Sequence, residues 1–196
     1  MIPKKEPNLM RSGVLFGFIA FATISRLMAP YVLGHPSNLA PIDAIALFSG
    51  AYCASRWRAM IIPLLSVWVG DWFVLTALHG KLEIFYPGFY WQYGTYMLLV
   101  LLGSSLRGKV NFGRVMTASL LAACIFFVIS NFGVWAGGYM YPYTWNGLMA
   151  CYTAGIPYFK YTLASDLLYS GMLFGAFEWM QNRYPVLTRK PIGLTR

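Results

Sequence analysis

Long apolar runs with few charges recur along this sequence, and they constrain its fold more than any other feature. Only 11% of the 196 residues are charged, while 58% are hydrophobic. A soluble domain carries roughly a quarter charged residues, and an apolar run of about 20 residues matches the hydrocarbon thickness of a bilayer. The sequence therefore predicts an all-α integral membrane protein that forms one compact bundle.

Counting one apolar run as one bilayer crossing predicts six transmembrane helices. The second and fourth are short, and the second begins at Pro41, a residue type that suits the first turn of a helix. The predicted helices cover residues 13–33, 41–55, 59–79, 90–106, 114–136 and 160–180. The predicted organisation is a cytoplasmic N-terminal segment (1–12), a six-helix transmembrane domain (13–180) and a basic cytoplasmic tail (181–196).

Most basic residues lie in alternate connections between the predicted helices and in the two terminal segments. The connections 34–40, 80–89 and 137–159 contain Lys81 as their only lysine or arginine, whereas the opposite segments hold most of the 15 such residues. Because positive residues stay on the cytoplasmic side of a membrane, both termini are predicted to be cytoplasmic. This placement accounts for the net charge of +9 without nucleic acid as a partner.

Polar side chains within the predicted helices share a depth in the outer half. Counting 1.5 Å per residue from the cytoplasmic ends puts Arg26, Asp71 and Asn131 there, with Asp43 and Asp166 near the outer ends of their helices. Intramembrane charges face the bundle interior and either pair or line a pathway. An outer polar cavity above an apolar inner half is typical of a binding site open to the outside.

A structural interpretation of the same charges stays open beside that one. In it, Arg26 and Lys160 pair with Asp43, Asp71 and Asp166 to hold helices together, and the pairs confer specificity rather than stability. The histidines of the outer connections, His35 and His79, are likewise either ligand contacts or interfacial polar residues.

The outer segment 137–159 is too apolar for an ordinary solvated loop. It predicts a short helix around 145–154 lying across the mouth of the bundle, an aromatic belt at the membrane interface, or both. The three cysteines, Cys53, Cys124 and Cys151, lack metal-ligand spacing and are predicted to be buried structural thiols.

Small residues four positions apart recur in the helices, and such pairs let helix backbones approach closely. Most are expected to pack inside the bundle. Gly13 and Gly17, at the cytoplasmic end of the first helix, are the candidates for docking a partner membrane subunit. No catalytic or nucleotide-binding motif is present in the sequence, so active transport by this chain would need energy from another chain.

Four stretches carry a resemblance to a known family: "SRLMAPYVLGHPSNLAPIDAIALFSGAYCASRW" (25–57), "GDWFVLTALHG" (70–80), "SNFGVWAGGYMYP" (130–142) and "ACYTAGIPYFKYTLASDLLYSGMLFG" (150–175). They resemble a bacterial family of six-span membrane proteins of unknown function. That family is similar in architecture to the S components of energy-coupling-factor transporters, with the solitary cobalamin-transporter type as its nearest named relatives.

The resemblance implies a substrate pocket in the outer half of an S-component-like bundle in the bacterial inner membrane. It also implies that Gly13 and Gly17 dock on a transmembrane coupling subunit that works with ATPases. The cobalamin type uses a cysteine after the third span to ligate cobalt, and this sequence has none between His79 and Phe89. His79 is the substitute candidate ligand, since imidazole suits transition metals.

The resulting hypothesis is a non-catalytic membrane protein that captures a small organic molecule, a vitamin or related compound and possibly a corrinoid, with no resident cofactor. The aspartates would orient ligand donors, the histidines would accept hydrogen bonds or ligate metal, and the asparagines and the tyrosine would bind polar groups. The predicted substrate-binding residues are His35, Asn38, Asp71, His79, Asn131, Tyr158 and Asp166. The alternatives are an accessory subunit of a larger membrane complex and a membrane enzyme without a recognisable motif.

Overall fold

Helices form all the regular structure in the residues that the computed structural model describes, which are 11–21, 24, 41–53, 55–79 and 88–188. The predicted all-α fold is confirmed over these ranges, and each predicted span overlaps one helix. The helices are α1 (Arg11–Phe21), α2 (Ile42–Tyr52), α3 (Arg56–His79), α4 (Phe89–Ser104), α5 (Phe112–Ala136) and α6 (Trp145–Arg183), followed by a short 3-10 helix, Pro185–Leu187.

The helix α6 is much longer than the sequence predicted, and the expectation of a separate helix around 145–154 is wrong. The helix begins after Thr144, whose hydroxyl accepts a hydrogen bond from the Gly147 amide at 3.0 Å, a typical N-cap. It continues for 39 residues through Pro157 to Arg183. Proline within a helix removes one backbone hydrogen bond, but packing along α5 supports the helix on both sides of it.

The short helix α2 is the centre of the bundle, because all 11 of its residues are buried. It packs against α3, α4, α5 and α6. Its approach to α4 is close at two glycines, of which Gly50 belongs to the predicted small-residue pattern and Gly103 does not. A methyl group on Gly103 would lie 2.7 Å from the Leu47 Cα, and one on Gly50 would lie 3.0 Å from the Ser104 amide nitrogen.

An aromatic cluster fills the core where α1, α2 and α6 meet, and we call it the aromatic plug: Phe18, Phe48, Tyr52, Phe174 and Phe177. The Phe48 ring lies 5.5 Å from Phe177 and 6.0 Å from Phe18. The Phe48–Phe177 pair is edge-on, with an interplanar angle of 87°, whereas Phe18 and Phe48 are tilted by 30°. Edge-on pairs at such distances are favourable.

Basic side chains gather at the end of the bundle beyond the aromatic plug, which we call the basic pole. Arg11 donates to the Leu187 carbonyl at 3.0 Å, and Arg107 donates to the Gly50 carbonyl at 2.8 Å. These contacts join the start of α1 and the ends of α2, α4 and α6. The helix termini and connections at this end also carry Arg56, Arg58, Lys109, Arg114 and Arg183.

Large apolar side chains cover much of the outer surface of the described helices. The helix α5 has a mean hydropathy of 2.1 over its most apolar window, yet only 28% of that window is buried. Within the described ranges it is the one helix long and apolar enough to cross a membrane, while α1 and α2 are shorter apolar helices.

Candidate ligand cavity between α5 and α6

A cavity of about 290 Å³ lies between the second half of α5 and the first half of α6. It is far from the basic pole along both helices, because α5 starts and α6 ends at that pole. Aromatic side chains and a few polar groups line it together. The lining residues are Phe126, Phe127, Ser130, Asn131, Val134, Gly155, Tyr158, Phe159 and Thr162.

Asn131 is held against the backbone of α6 because residue 155 is glycine. The Asn131 Nδ2 donates to the Phe127 carbonyl at 2.8 Å, which fixes the side chain on its own helix. A methyl group on Gly155 would lie 2.5 Å from the Asn131 Oδ1. No hydrogen bond among the described residues uses that oxygen, and Asn131 lines the cavity, so the oxygen is an acceptor that a ligand donor can reach.

Side chains of α6 tie the two helices together next to the cavity. Cys151 donates to the Asn131 carbonyl at 3.3 Å, and the Tyr152 hydroxyl donates to the Val128 carbonyl at 2.8 Å. Because these bonds use backbone acceptors of α5, they fix the spacing of the two helices without occupying the polar side chains of the cavity.

The aromatic wall of the cavity is packed, and its polar side is made by hydroxyl groups. The Phe127 ring lies 5.0 Å from Phe159 and 5.7 Å from Tyr152. On α6 the Thr162 hydroxyl donates to the Tyr158 carbonyl at 3.4 Å, so its lone pairs remain free to accept. Apolar walls with a small number of placed polar groups are typical of small-molecule sites.

A family match covers most of the sequence. The chain belongs to the DUF6580 family, a family of unknown function. The match covers residues 6–187. No curated protein and no solved structure matches the chain. Because the family description assigns no activity, the function of this DUF6580 member has to be inferred from the cavity and its surroundings.

Two of the seven predicted substrate-binding residues, Asn131 and Tyr158, line the cavity of this DUF6580 member. Sequence reasoning missed Ser130, Gly155 and Thr162. A small or hydroxyl residue inside an apolar helix gives little signal by itself, although Thr162 stands four residues after Tyr158 and therefore on the same helix face.

The other predicted site residues are elsewhere or outside the described part. Asp71 lies on α3 and is not among the residues that line the cavity. Asp166 is buried on α6, one turn beyond Thr162, where it faces Asp43 rather than the cavity. His35 and Asn38 lie outside the described residues. The side chain of His79, the candidate cobalt ligand, also lies outside the described part, although the His79 backbone forms the last residue of α3.

The predicted pairing of Lys160 with buried carboxylates is wrong. The Lys160 side chain is exposed, and its ammonium lies over the Tyr161 ring, 5.0 Å from the centroid. A cation over an aromatic face at this distance is a favourable contact, and it directs the lysine away from the bundle interior. Arg26, the other predicted partner, lies outside the described residues.

The cysteine prediction is correct at two positions and wrong at the third. Cys53 and Cys151 are buried, but Cys124 is exposed because its face of α5 points outward. Over the described residues, no group of three His, Cys, Asp or Glu side chains is arranged to hold a metal ion.

Proposed function

We propose that this chain is a multi-pass bacterial inner-membrane protein that captures a small organic molecule from the outer side. The single observation that carries the proposal is the cavity between α5 and α6. It combines aromatic walls with polar groups that can still accept hydrogen bonds.

The outward-facing apolar surface supports a membrane location. The core helix of a soluble protein is mostly buried, whereas only 28% of the most apolar window of α5 is buried. Exposed apolar surface of this extent on a soluble monomer would be unusual. The exposed side chains include Leu98, Leu101, Leu120, Leu121, Val128, Leu168 and Met172. Five helices around a buried α2 are in keeping with a six-span bundle whose outer surface faces lipid.

The basic pole supports the proposed orientation. Under the positive-inside rule this pole faces the cytoplasm. The start of α1 and the end of α6 therefore both lie on the cytoplasmic side. The cavity occupies residues 126–134 of α5 and 155–162 of α6, on the far side of the aromatic plug. In this orientation a ligand reaches the cavity from the outside, and the plug separates it from the cytoplasm.

The cavity favours a small ligand with a flat or apolar body and one or two polar groups. Phe127 and Phe159 offer stacking surfaces, while Asn131 and Thr162 offer an amide oxygen and a hydroxyl. A volume of about 290 Å³ lies at the lower end of the range for small-molecule pockets. It suits a small vitamin or a related compound better than a corrinoid, whose macrocycle is much larger.

We propose that this binding serves uptake, as it does in an S component. Gly13 and Gly17 lie on the exposed face of α1, with no described atom within 4 Å of a Cβ built on either. That face, near the basic pole, is available for a membrane subunit to dock. A coupling subunit with ATPases is the partner that this proposal names, and an accessory role in another complex is the competing outcome.

The test is a thermal-shift screen of the detergent-purified protein against water-soluble vitamins and corrinoids. A ligand at one hundred times its dissociation constant stabilises the folded state by about 2.7 kcal/mol. We expect a small vitamin to stabilise the wild type, and Thr162→Val to weaken that shift.

Thr153→Val is the matched control. Thr153 is also on α6 and donates to the carbonyl four residues earlier, at 2.8 Å, but it does not line the cavity. Its variant should keep the full ligand shift. If no compound stabilises the wild type, or if the protein purifies only as a stoichiometric part of a larger complex, the accessory role replaces ligand capture.

A further inference from the structure

Two carboxyl groups meet inside the bundle with little or no access to water. Asp43, in the first turn of α2, is 4% exposed, and Asp166, on α6, is 0% exposed. Their carboxyl groups lie next to each other. Two ionised carboxylates are both acceptors, so in such contact they would repel and neither would supply a hydrogen.

Donors for these carboxyl groups are missing from the described surroundings. Both oxygens of Asp166 and the Oδ2 of Asp43 have no hydrogen-bond donor among the described residues. The Ser170 hydroxyl, one turn further along α6 and 0% exposed, also has no described partner. Lys160 lies over Tyr161 instead.

Few other carboxyl groups or histidines belong to the helices packed against this pair. The helix α5 carries no carboxyl group or histidine, and α4 carries tyrosines alone. The helix α3 carries Asp71 and His79, besides arginines at its start. At its far end α6 carries Glu178, which accepts a hydrogen bond from Tyr52. The remaining titratable side chains on these helices are Arg56, Arg58, Tyr90, Tyr93, Tyr96, Arg114, Cys124, Cys151, Tyr152, Tyr158, Lys160, Tyr161, Tyr169 and Arg183.

We propose that Asp43 and Asp166 together form a proton-binding site that holds one proton at neutral pH. The bound proton turns two repelling acceptors into a carboxylic acid that donates to a carboxylate. Asp43 is the better place for the remaining negative charge, because it lies in the first turn of α2, where the helix dipole favours an anion. The Asp166 carboxyl then carries the proton and donates it to Asp43.

The neighbours of the site are suited to this arrangement. The Ser170 hydroxyl stands four residues after Asp166 on the same face of α6 and is buried. Thr162, four residues before Asp166, lines the cavity, so the proton site lies about 6 Å along α6 from the proposed ligand site. The proton site stands whether or not the cavity binds a ligand.

The test is the pH dependence of reversible unfolding in mixed micelles. Unfolded aspartates titrate near pH 3.9, so near neutral pH the unfolded chain has both carboxyls ionised and the folded chain holds one extra proton. Stability then falls as pH rises, and the unfolding constant increases about tenfold per pH unit. In Asp166→Asn an amide N–H replaces the proton as donor, so this dependence should disappear. Asp43→Asn should behave in the same way and serves if the first variant does not fold.

Glu178→Gln and Asp71→Asn are the controls, and both should keep the wild-type pH dependence. Infrared spectroscopy at neutral pH provides a second readout. The carbonyl stretch of an un-ionised carboxylic acid should be present in the wild type and lost in Asp166→Asn. A flat profile in the wild type, as an ion pair with Arg26 would give, overturns the proposal. An unchanged slope in both asparagine variants of the pair also overturns it.

Discussion

The contact between α2 and α4 makes a quantitative prediction for Gly103→Ala. The new methyl carbon would lie 2.7 Å from the Leu47 Cα, whereas carbon atoms pack best at about 3.5–4.0 Å. The two helices must therefore separate by roughly 1 Å. Because α2 is buried along its whole length, any such shift also disturbs its packing on the other helices.

The expected cost is that of overpacking a well-filled core, about 1–3 kcal/mol. Replacing glycine by alanine within a helix returns up to about 1 kcal/mol, so the net loss of unfolding free energy is about 0–2 kcal/mol. The upper value corresponds to a roughly 30-fold larger unfolding constant, and the loss relative to an alanine substitution without the close contact is the full overpacking cost of about 1–3 kcal/mol. The assay is equilibrium unfolding of the purified protein in mixed micelles.

Gly94→Ala is the control in the same helix, because no described atom lies within 4 Å of a Cβ at Gly94. That variant should be as stable as the wild type or more stable. If Gly103→Ala unfolds with the same free energy as Gly94→Ala, the close approach of α2 and α4 is refuted.

Three further variants test other contacts in the same unfolding assay. Gly155→Ala should cost up to about 1.5 kcal/mol, because the methyl displaces the Asn131 side chain that donates to the Phe127 carbonyl, and it should weaken any ligand shift; an unchanged ligand shift would contradict this. Tyr52→Phe removes the hydroxyl that donates to Glu178 and should cost about 1–3 kcal/mol; no loss would mean that water replaces the hydroxyl. Cys124→Ala, on the exposed face of α5, should be within about 0.5 kcal/mol of the wild type, and a larger loss would indicate that a partner covers it.

Helix positions were largely predictable from the sequence, because long runs of apolar residues are visible in the order of residues along the chain. The predicted starts and ends of α3, α4 and α5 lie within a few residues of the observed ones. The start of α6 was predicted 15 residues too late, at Lys160 instead of Trp145. Gly155 and Pro157 look like loop residues in isolation, and only packing against α5 makes the helix continue through them.

The candidate site was predictable only in part, because it depends on how two helices align. Asn131 and Tyr158 stood out as polar residues among apolar ones, and both line the cavity. Gly155 matters because it faces Asn131 across the helix contact, a fact that no spacing along the chain reveals. The meeting of Asp43 with Asp166 likewise depends on the register between α2 and α6.

The most direct test of ligand capture is to fill the cavity and measure binding. Ser130→Trp puts an indole into a cavity of about 290 Å³, while Val128→Trp puts the same side chain on the exposed face of α5. The quantity to measure is the equilibrium dissociation constant of the vitamin that most stabilises the wild type. We predict a loss of at least about tenfold, or 1.4 kcal/mol, for Ser130→Trp and no change for Val128→Trp. Equal affinity in the wild type and both variants would contradict ligand capture between α5 and α6.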